Sequence, residues 1–268
     1  MVLFLTIFTA MMLLPLVYAV NMSLKSAGEL WRFPPTIFAV NPTFKNYRDL
    51  FSLMSDTWVP MIRYIFNTLF ITVVGTVGHI ILASMAAYPL SKYKFPGSKT
   101  IFVIIRTSLM FSGAVLSIPN YLIMNTLHLI DSYAALILPA FSSTLGLYLM
   151  KQFMDQMVPM SLLESADLDG ASEWVKFKKI VMPLVKPATA TLLILETQRL
   201  WQTGATPYIY SEEKKTLSYA LSQITTSGIA RAGVGAAVSI VMLLPPLLVF
   251  IISQSNVIET MSTSGIKE

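Results

Sequence analysis

The chain has 268 residues, 54% hydrophobic and only 12% charged, with a net charge of +5 and a mean hydropathy of +0.65, which is too apolar for a soluble domain and marks an integral membrane protein. The absence of cysteine excludes disulfides and thiolate metal sites, and two isolated histidines, His79 and His128, cannot build a zinc centre. The basic balance belongs to loops beside a bilayer, where it orients the chain, so nucleic acid is discarded as a partner.

Residues 2–20 carry no charge and at about 1.5 Å per residue can cross a core of about 30 Å. They lack the basic n-region and cleavage site of a signal peptide and are read as span 1. Residues 21–61 are polar and aromatic, with Trp31, Tyr47 and Trp58, and Pro34-Pro35 argues for extended chain. An outside loop lying along the interface fits, since such rings favour that depth. Span 2, about 64–90, contains Gly75, Gly78, Ala83, Ser84, Ala86 and Ala87, small residues that let helices approach closely in lipid. His79 is expected to hydrogen-bond within the bundle. Residues 91–99 hold Lys92, Lys94 and Lys99 and lie inside. Gly97-Ser98-Lys99-Thr100 lacks the first glycine and the Gly-Lys pair of a phosphate loop, so no nucleotide site is expected.

Span 3 covers about 100–125 with Arg106, Gly113 and Pro119, and span 4 about 133–149. Span 5, about 188–209, carries Glu196 and Arg199 in an otherwise apolar helix. A charge at mid-bilayer costs about 3 kcal/mol on insertion scales, so both should face a cavity or a partner. Residues 210–232 read as an outside loop. Span 6, about 233–255, contains Pro245-Pro246, which should kink it. Inner loops are basic, which gives an inside N-terminus and six spans. The first outside loop, with Lys25, Arg32, Lys45, Arg48 and Arg63, departs from that asymmetry.

The loop at about 152–187 is the informative one. Ser161 and Glu164 have capping-box spacing, so a short helix is expected to start there. Asp169-Gly170 should break it. A second short helix from about Ser172 places Trp174, Phe177 and Val181 on one face, and Pro183 should end it. The expected product is a helix-turn-helix at the membrane surface offering one apolar face.

Glu164-Ser165-Ala166, three residues, Gly170, nine residues, Ile180, one residue, Met182-Pro183 resembles the EAA loop of ABC importer permeases, E-A-A-x3-G-x9-I-x-L-P. Every spacing holds, with Ser165 and Met182 as mild departures. Asp169-Gly170-Ala171-Ser172, Pro187, Asn21 to Lys25, NYRDLF at 46–51 and AAYPLSKYKFPG at 86–97 further resemble the carbohydrate-uptake, maltose-permease-like branch. The tail ending Ser264-Gly265-Ile266-Lys267-Glu268 is similar to the short cytoplasmic end of sugar permeases. Members of the family usually carry a basic leader before span 1, so a late start or a trimmed N-terminus is expected here.

The resemblance implies an all-α integral membrane fold of the type I ABC importer permease, one permease domain over 1–268, in the bacterial inner membrane. It implies that Glu164, Ser165, Ala166, Asp169, Gly170, Ile180 and Pro183 couple the chain to an ATPase. The implied partners are a second homologous permease, two ATP-binding cassette subunits and an extracytoplasmic solute-binding protein. ATP and magnesium would sit on the ATPase, and no cofactor is expected in this chain. The cargo is expected to be a carbohydrate, an oligosaccharide in particular, with Arg106, Glu196, Arg199 and Trp201 as pathway candidates and an acidic oligosaccharide as the narrower expectation. Taken one at a time, these residues also have plain roles: Glu164 a cap, Gly170 a turn, Pro183 a stop, Glu196 and Arg199 an internal pair at i, i+3, Trp201 and Tyr208 interfacial anchors. A permease for a non-sugar solute and a secondary transporter are the alternatives. A membrane enzyme would need a cluster of His, Asp or Glu that the sequence does not show.

Overall fold

The structure, a computed structural model, describes residues 2–55, 58–111, 113–226 and 232–264, with the side chains of 114 and 256–264 left aside. In chain order the helices are α1 Val2–Leu24, α2 Ala27–Leu30, α3 Lys45–Ser55, α4 Met61–Lys92, α5 Ser98–Ser108, α6 Gly113–Thr126, α7 Ala134–Phe141 and α8 Thr144–Met157. There follow α9 Met160–Leu168, α10 Glu173–Lys176, a π-helical turn Phe177–Val181, α11 Met182–Leu184, α12 Lys186–Trp201, a 3-10 turn Glu212–Lys214, α13 Leu217–Thr225 and α14 Ala232–Ser264. No strand occurs among the described residues.

Among the described residues, four helical runs are long and apolar enough to cross a membrane, Val2–Leu24, Met61–Lys92, Ala134–Met157 and Ala232–Ser255. A fifth results if Glu173–Leu184 and Lys186–Trp201, bent by 74°, count as one. The difference from the six expected spans lies at 100–125, which divides into α5, ending at Ser108, and α6, starting at Gly113. Each half is too short to cross alone, at 11 and 14 residues. Lipid-depth spans must satisfy their own backbone, so a break of this kind requires cover from protein or water. Residues 202–209, expected within span 5, are irregular past Trp201 because Gly204 and Pro207 do not continue a helix. Conversely, α14 runs unbroken through Pro245 and Pro246, and 210–232 contains α13 and a 3-10 turn. Residues 227–231 and the tail at 265–268 lie outside the described residues.

The chain divides into two compact units. One comprises Met1–Thr68, Gln202–Ala205 and Ser211–Leu247. In it the region read as extended contains the amphipathic helix α3, whose Leu50 and Met54 are buried. Asn46 ties α3 to the end of α1 by donating to the carbonyls of Ser23 and Lys25, both at 2.8 Å. Asn67 donates to the carbonyls of Glu213 and Lys215, again at 2.8 Å, and fixes the loop before α13.

The other unit comprises Leu69–Trp201, Thr206–Tyr210 and Leu248–Glu268. Its small residues act as expected: a Cβ on Gly75 would lie 2.6 Å from Leu200, and one on Gly78 would lie 2.3 Å from the Phe141 ring. The main core joins Ala87 and Tyr88 of α4, Met150 and Met154 of α8, Leu163 of α9, Val181 of the π turn, and Val185, Ala188 and Leu192. This core therefore sits under the 161–187 loop and binds it to the spans.

Candidate functional site

The loop forms a helical hairpin, with a local logic that differs in part from the expectation. Pro159 is the N-cap of α9, and Ser161 lies inside the helix, its carbonyl accepting from Ser165 Oγ at 2.9 Å. No capping box forms, because Pro159 already fits the position before the first turn, where a missing N–H costs nothing. Glu164 is exposed on the first arm.

The end of α9 is a Schellman motif. The amide of Ala171 donates to the Ala166 carbonyl at 2.9 Å, and that of Gly170 to Asp167 at 3.0 Å. Gly170 has φ +73 with open space around it, so glycine serves the left-handed backbone rather than tight packing. Asp169 is the C-cap, and Ala166 is buried where the motif closes.

The second arm begins after Ser172, as read from the sequence, but Pro183 does not stop it. The chain stays helical to Leu184 by opening into a π turn over Phe177–Val181. Proline at 183 brings no N–H to the ladder, so a wide turn just before it leaves fewer bonds to break. The helix bends only at Val185, φ −93, before α12. The expected apolar face is divided. Val181 is fully buried and Phe177 packs on Tyr88 with ring centroids 5.6 Å apart, while Trp174 is exposed, as is Leu168 at 90%. Ile180 packs on the core and Pro183 is exposed.

Lys176 was not singled out by sequence reasoning. Its side chain is 2% exposed, with Nζ 2.6 Å from Asp167 on the first arm and 2.5 Å from Glu173 on its own arm. The other oxygen of Glu173 accepts from the Tyr88 hydroxyl at 3.0 Å and from the Tyr93 hydroxyl. These charge-assisted bonds, the one from Lys176 first, hold the Glu173 carboxyl below the usual range. The lysine is pushed up chiefly by Asp167, then Glu173. The available signal was Asp167 and Glu173 at 9 and 3 residues before Lys176, a pattern that becomes meaningful only once the hairpin folds. Neighbouring bonds clamp the same end of α4: Ser91 donates to Asp155 at 2.6 Å and Lys92 to the Val158 carbonyl at 2.7 Å.

A second polar cluster lies on α12. Glu196, 4% exposed in its side chain, accepts from Arg199 Nε at 2.9 Å and Nη2 at 2.6 Å through one oxygen. Its other oxygen takes the Ser143 hydroxyl at 3.0 Å and stands 3.9 Å from His79 Nε2. His79 is buried with Nδ1 3.4 Å from the Phe141 carbonyl, and Gly146 is its seat, since a Cβ there would fall 1.8 Å from Nε2. Thr72, Thr76 and His79 follow one face of α4, and Thr72 Oγ1, Thr76 Oγ1, His79 Nε2 and Trp201 Nε1 find no hydrogen-bond partner among the described residues. Trp201 is buried at the end of α12, whereas Arg106 lies exposed in the last turn of α5. Among the described residues no group of three or more His, Asp or Glu could hold a metal.

A family model described as binding-protein-dependent transport system inner membrane component matches residues 1–262. The chain belongs to this family. It is thus an inner-membrane permease subunit of an ABC importer, working with a solute-binding protein, while ATP hydrolysis belongs to another subunit. The permease is 30% identical over 270 residues to the arabinooligosaccharides transport system permease protein AraQ of Bacillus subtilis, covering 99% of this chain and 94% of that one. It is 33% identical over 211 residues to the polygalacturonan/rhamnogalacturonan transport system permease protein YtcP of the same organism, 77% and 70% of the two chains. A crystal structure of a bacterial ABC transporter involved in import of the acidic polysaccharide alginate contains a chain of the same fold, with TM-score 0.80, 24% identity and coverage of 95% and 94%.

Proposed function

We propose that the permease is one half of the membrane pathway of an ATP-driven importer for an oligosaccharide, and that the 161–183 hairpin docks on an ATPase subunit. The carrying observation is the division of the hairpin. Its base is part of the main core through Leu163 and Val181, while Leu168 and Trp174 at its turn are exposed. An element fixed to the spans at one end and apolar at the other suits a lever that a partner can grip. Glu164, Ser165 and Asp169 flank that tip, Ala166 and Gly170 shape it, and Ile180 and Pro183 belong to its base.

The remaining partners follow: a second homologous permease, two ATP-binding cassette subunits that hold ATP and magnesium, and the extracytoplasmic binding protein. ATP closes the ATPase dimer, the docked hairpin moves, and the spans shift between inward-facing and outward-facing states, because a ligand moves an equilibrium only through an element that differs between states. The relatives named for arabinooligosaccharides and polygalacturonan support an oligosaccharide cargo. Arg199, half exposed beside buried Glu196, supports an acidic one, with Arg106 and Trp201 as further pathway candidates.

The test is uptake of labelled neutral and acidic oligosaccharides into vesicles holding the complete transporter, with and without ATP and binding protein. ATP-dependent uptake is expected, and uptake driven by an ion gradient without ATP would overturn the proposal in favour of a secondary transporter. In the same vesicles Gly170→Asp should abolish substrate-stimulated ATP hydrolysis while leaving membrane insertion intact. A Cβ at this position would meet nothing within 4 Å beyond its chain neighbours, so the loss would come from the turn or its docking face. Unchanged transport would refute the coupling role.

A further inference from the structure

The hairpin's two arms meet the spans through a single bonded chain of side chains. Asp167, on α9, holds Lys176 Nζ at 2.6 Å, and the same ammonium holds Glu173 at 2.5 Å. Glu173 in turn takes the hydroxyls of Tyr88, in the last turns of α4, and of Tyr93, just beyond α4. Tyr88 and Tyr93 meet edge to face at 5.6 Å, and Tyr88 touches Phe177 at the same distance. The chain is therefore continuous from the first arm, across the turn, to a membrane-spanning helix.

The apolar core alone already anchors both arms, through Leu163 on one and Val181 on the other. What it lacks is direction, because apolar contacts slide at little cost while charge-assisted hydrogen bonds fix angle as well as distance. The π turn at Phe177–Val181 is a soft place in the second arm, since π turns interrupt the regular ladder. A pull on the tip could be lost there by local rewinding. The lysine bridge lies on the tip side of that turn and hands the pull to Tyr88 directly.

We infer that Lys176 is a positioning residue for energy coupling: it locks the two arms of the hairpin into one body and, through Glu173, Tyr88 and Tyr93, passes the displacement of the tip to α4. The inference rests on the docking role proposed above. It adds that the connection from hairpin to spans runs through a polar joint at α4 as well as through the continuous backbone into α12.

The experiment uses the complete transporter in vesicles and reads solute carried per ATP hydrolysed, together with assembly and thermal midpoint. Lys176→Met keeps the stem and removes the charge. Its expected result is an assembled complex whose solute-to-ATP ratio falls about tenfold, within the usual range of coupling between sites. Lys176→Arg should recover much of that ratio, because the guanidinium can still reach two carboxylates. A merely structural role would lower the midpoint and the amount of complex without moving the ratio, so an unchanged ratio in assembled Lys176→Met overturns the inference. Should Lys176→Met fail to assemble, Tyr93→Phe decides: it removes one exposed hydroxyl from the same carboxylate, and a lowered ratio supports the joint while an unchanged one overturns it. Gly170→Asp, run in parallel, separates the two levels. If it uncouples and Lys176→Met does not, only the polar joint fails, whereas normal coupling in Gly170→Asp refutes the docking role itself.

Discussion

The hairpin and the α12 cluster solve the same problem with opposite signs. In the hairpin a buried ammonium, Lys176, is flanked by two carboxylates that are 56% and 59% exposed. In α12 a buried carboxylate, Glu196, is held by a guanidinium that is 48% exposed. Each places one charge in the interior and leaves its counter-charge about half exposed. They differ in reserve. Lys176 has two acidic partners, either of which can hold it, while Glu196 has one cationic partner, with Ser143 and His79 as weaker company. A buried charge with a spare partner tolerates movement of its surroundings, and one without it must keep its geometry. That contrast suits a joint in the first case and a fixed interior feature in the second.

Three perturbations break or sharpen the comparison. The largest effect belongs to Arg199→Gln, which strands the Glu196 carboxylate and should cost about 3 kcal/mol, the scale of a broken buried pair. The readout is the thermal midpoint of the purified transporter in detergent, and no change would mean that the Glu196–Arg199 pair contributes nothing to stability. The same variant should slow acidic oligosaccharides more than neutral ones in vesicle uptake, and equal slowing would remove Arg199 from the proposed pathway.

Asp167→Asn should be much milder. The bridge keeps Glu173, Asp167 is more than half exposed, and exposed ion pairs contribute about 1 kcal/mol or less. A loss as large as that of Arg199→Gln would show that the lysine has no reserve.

The smallest effect expected is that of pH. A lowered carboxyl contributes stability above its unfolded value and loses it only as pH falls through the folded one, while a raised lysine keeps its contribution until pH climbs through its own folded value. Glu173 shifts down from an ordinary 4.5 and Lys176 up from 10.5, with Asp167, Tyr88 and Tyr93 facing them. The bridge should therefore be intact throughout the interval between those two values. Coupling measured as solute per ATP should be flat across that interval, and a step near neutrality would point to another group.

Much of this was legible in the sequence because lipid and turns impose strong local rules. Apolar runs located α1, α4 and α14, and the spacing from Glu164 to Pro183 located the hairpin. Asp169-Gly170 announced the turn because only a few residues accept its backbone. What stayed hidden depended on contacts distant in sequence. The NYRDLF segment resembled the family, yet its helical form and the bonds from Asn46 to Ser23 and Lys25 follow from packing against the end of α1. Pro34-Pro35 suggested extended chain within the 21–61 loop, but amphipathic spacing at 45–55 makes a helix there. Glu196 and Arg199 were visible as a pair at i, i+3, whereas His79 and Ser143 joined them only through the tertiary fold. Lys176 looked like one more basic residue in an inner loop, because burial of a charge has no signature of its own.

The π turn also makes chain length a dimension of the machine. An α-helix turns about 100° per residue, and a π turn spends one extra residue on nearly the same rotation, so deleting one residue between 177 and 181 would let the segment wind as an ordinary helix while Trp174 and the whole tip keep nearly their present direction. The base of the hairpin would still find its apolar seat. A residue deleted from the α-helical arm just before Phe177 would instead swing the gripping end round by about 100°, so those five positions form a stretch that can give up a residue without redirecting the stroke, as its neighbours cannot.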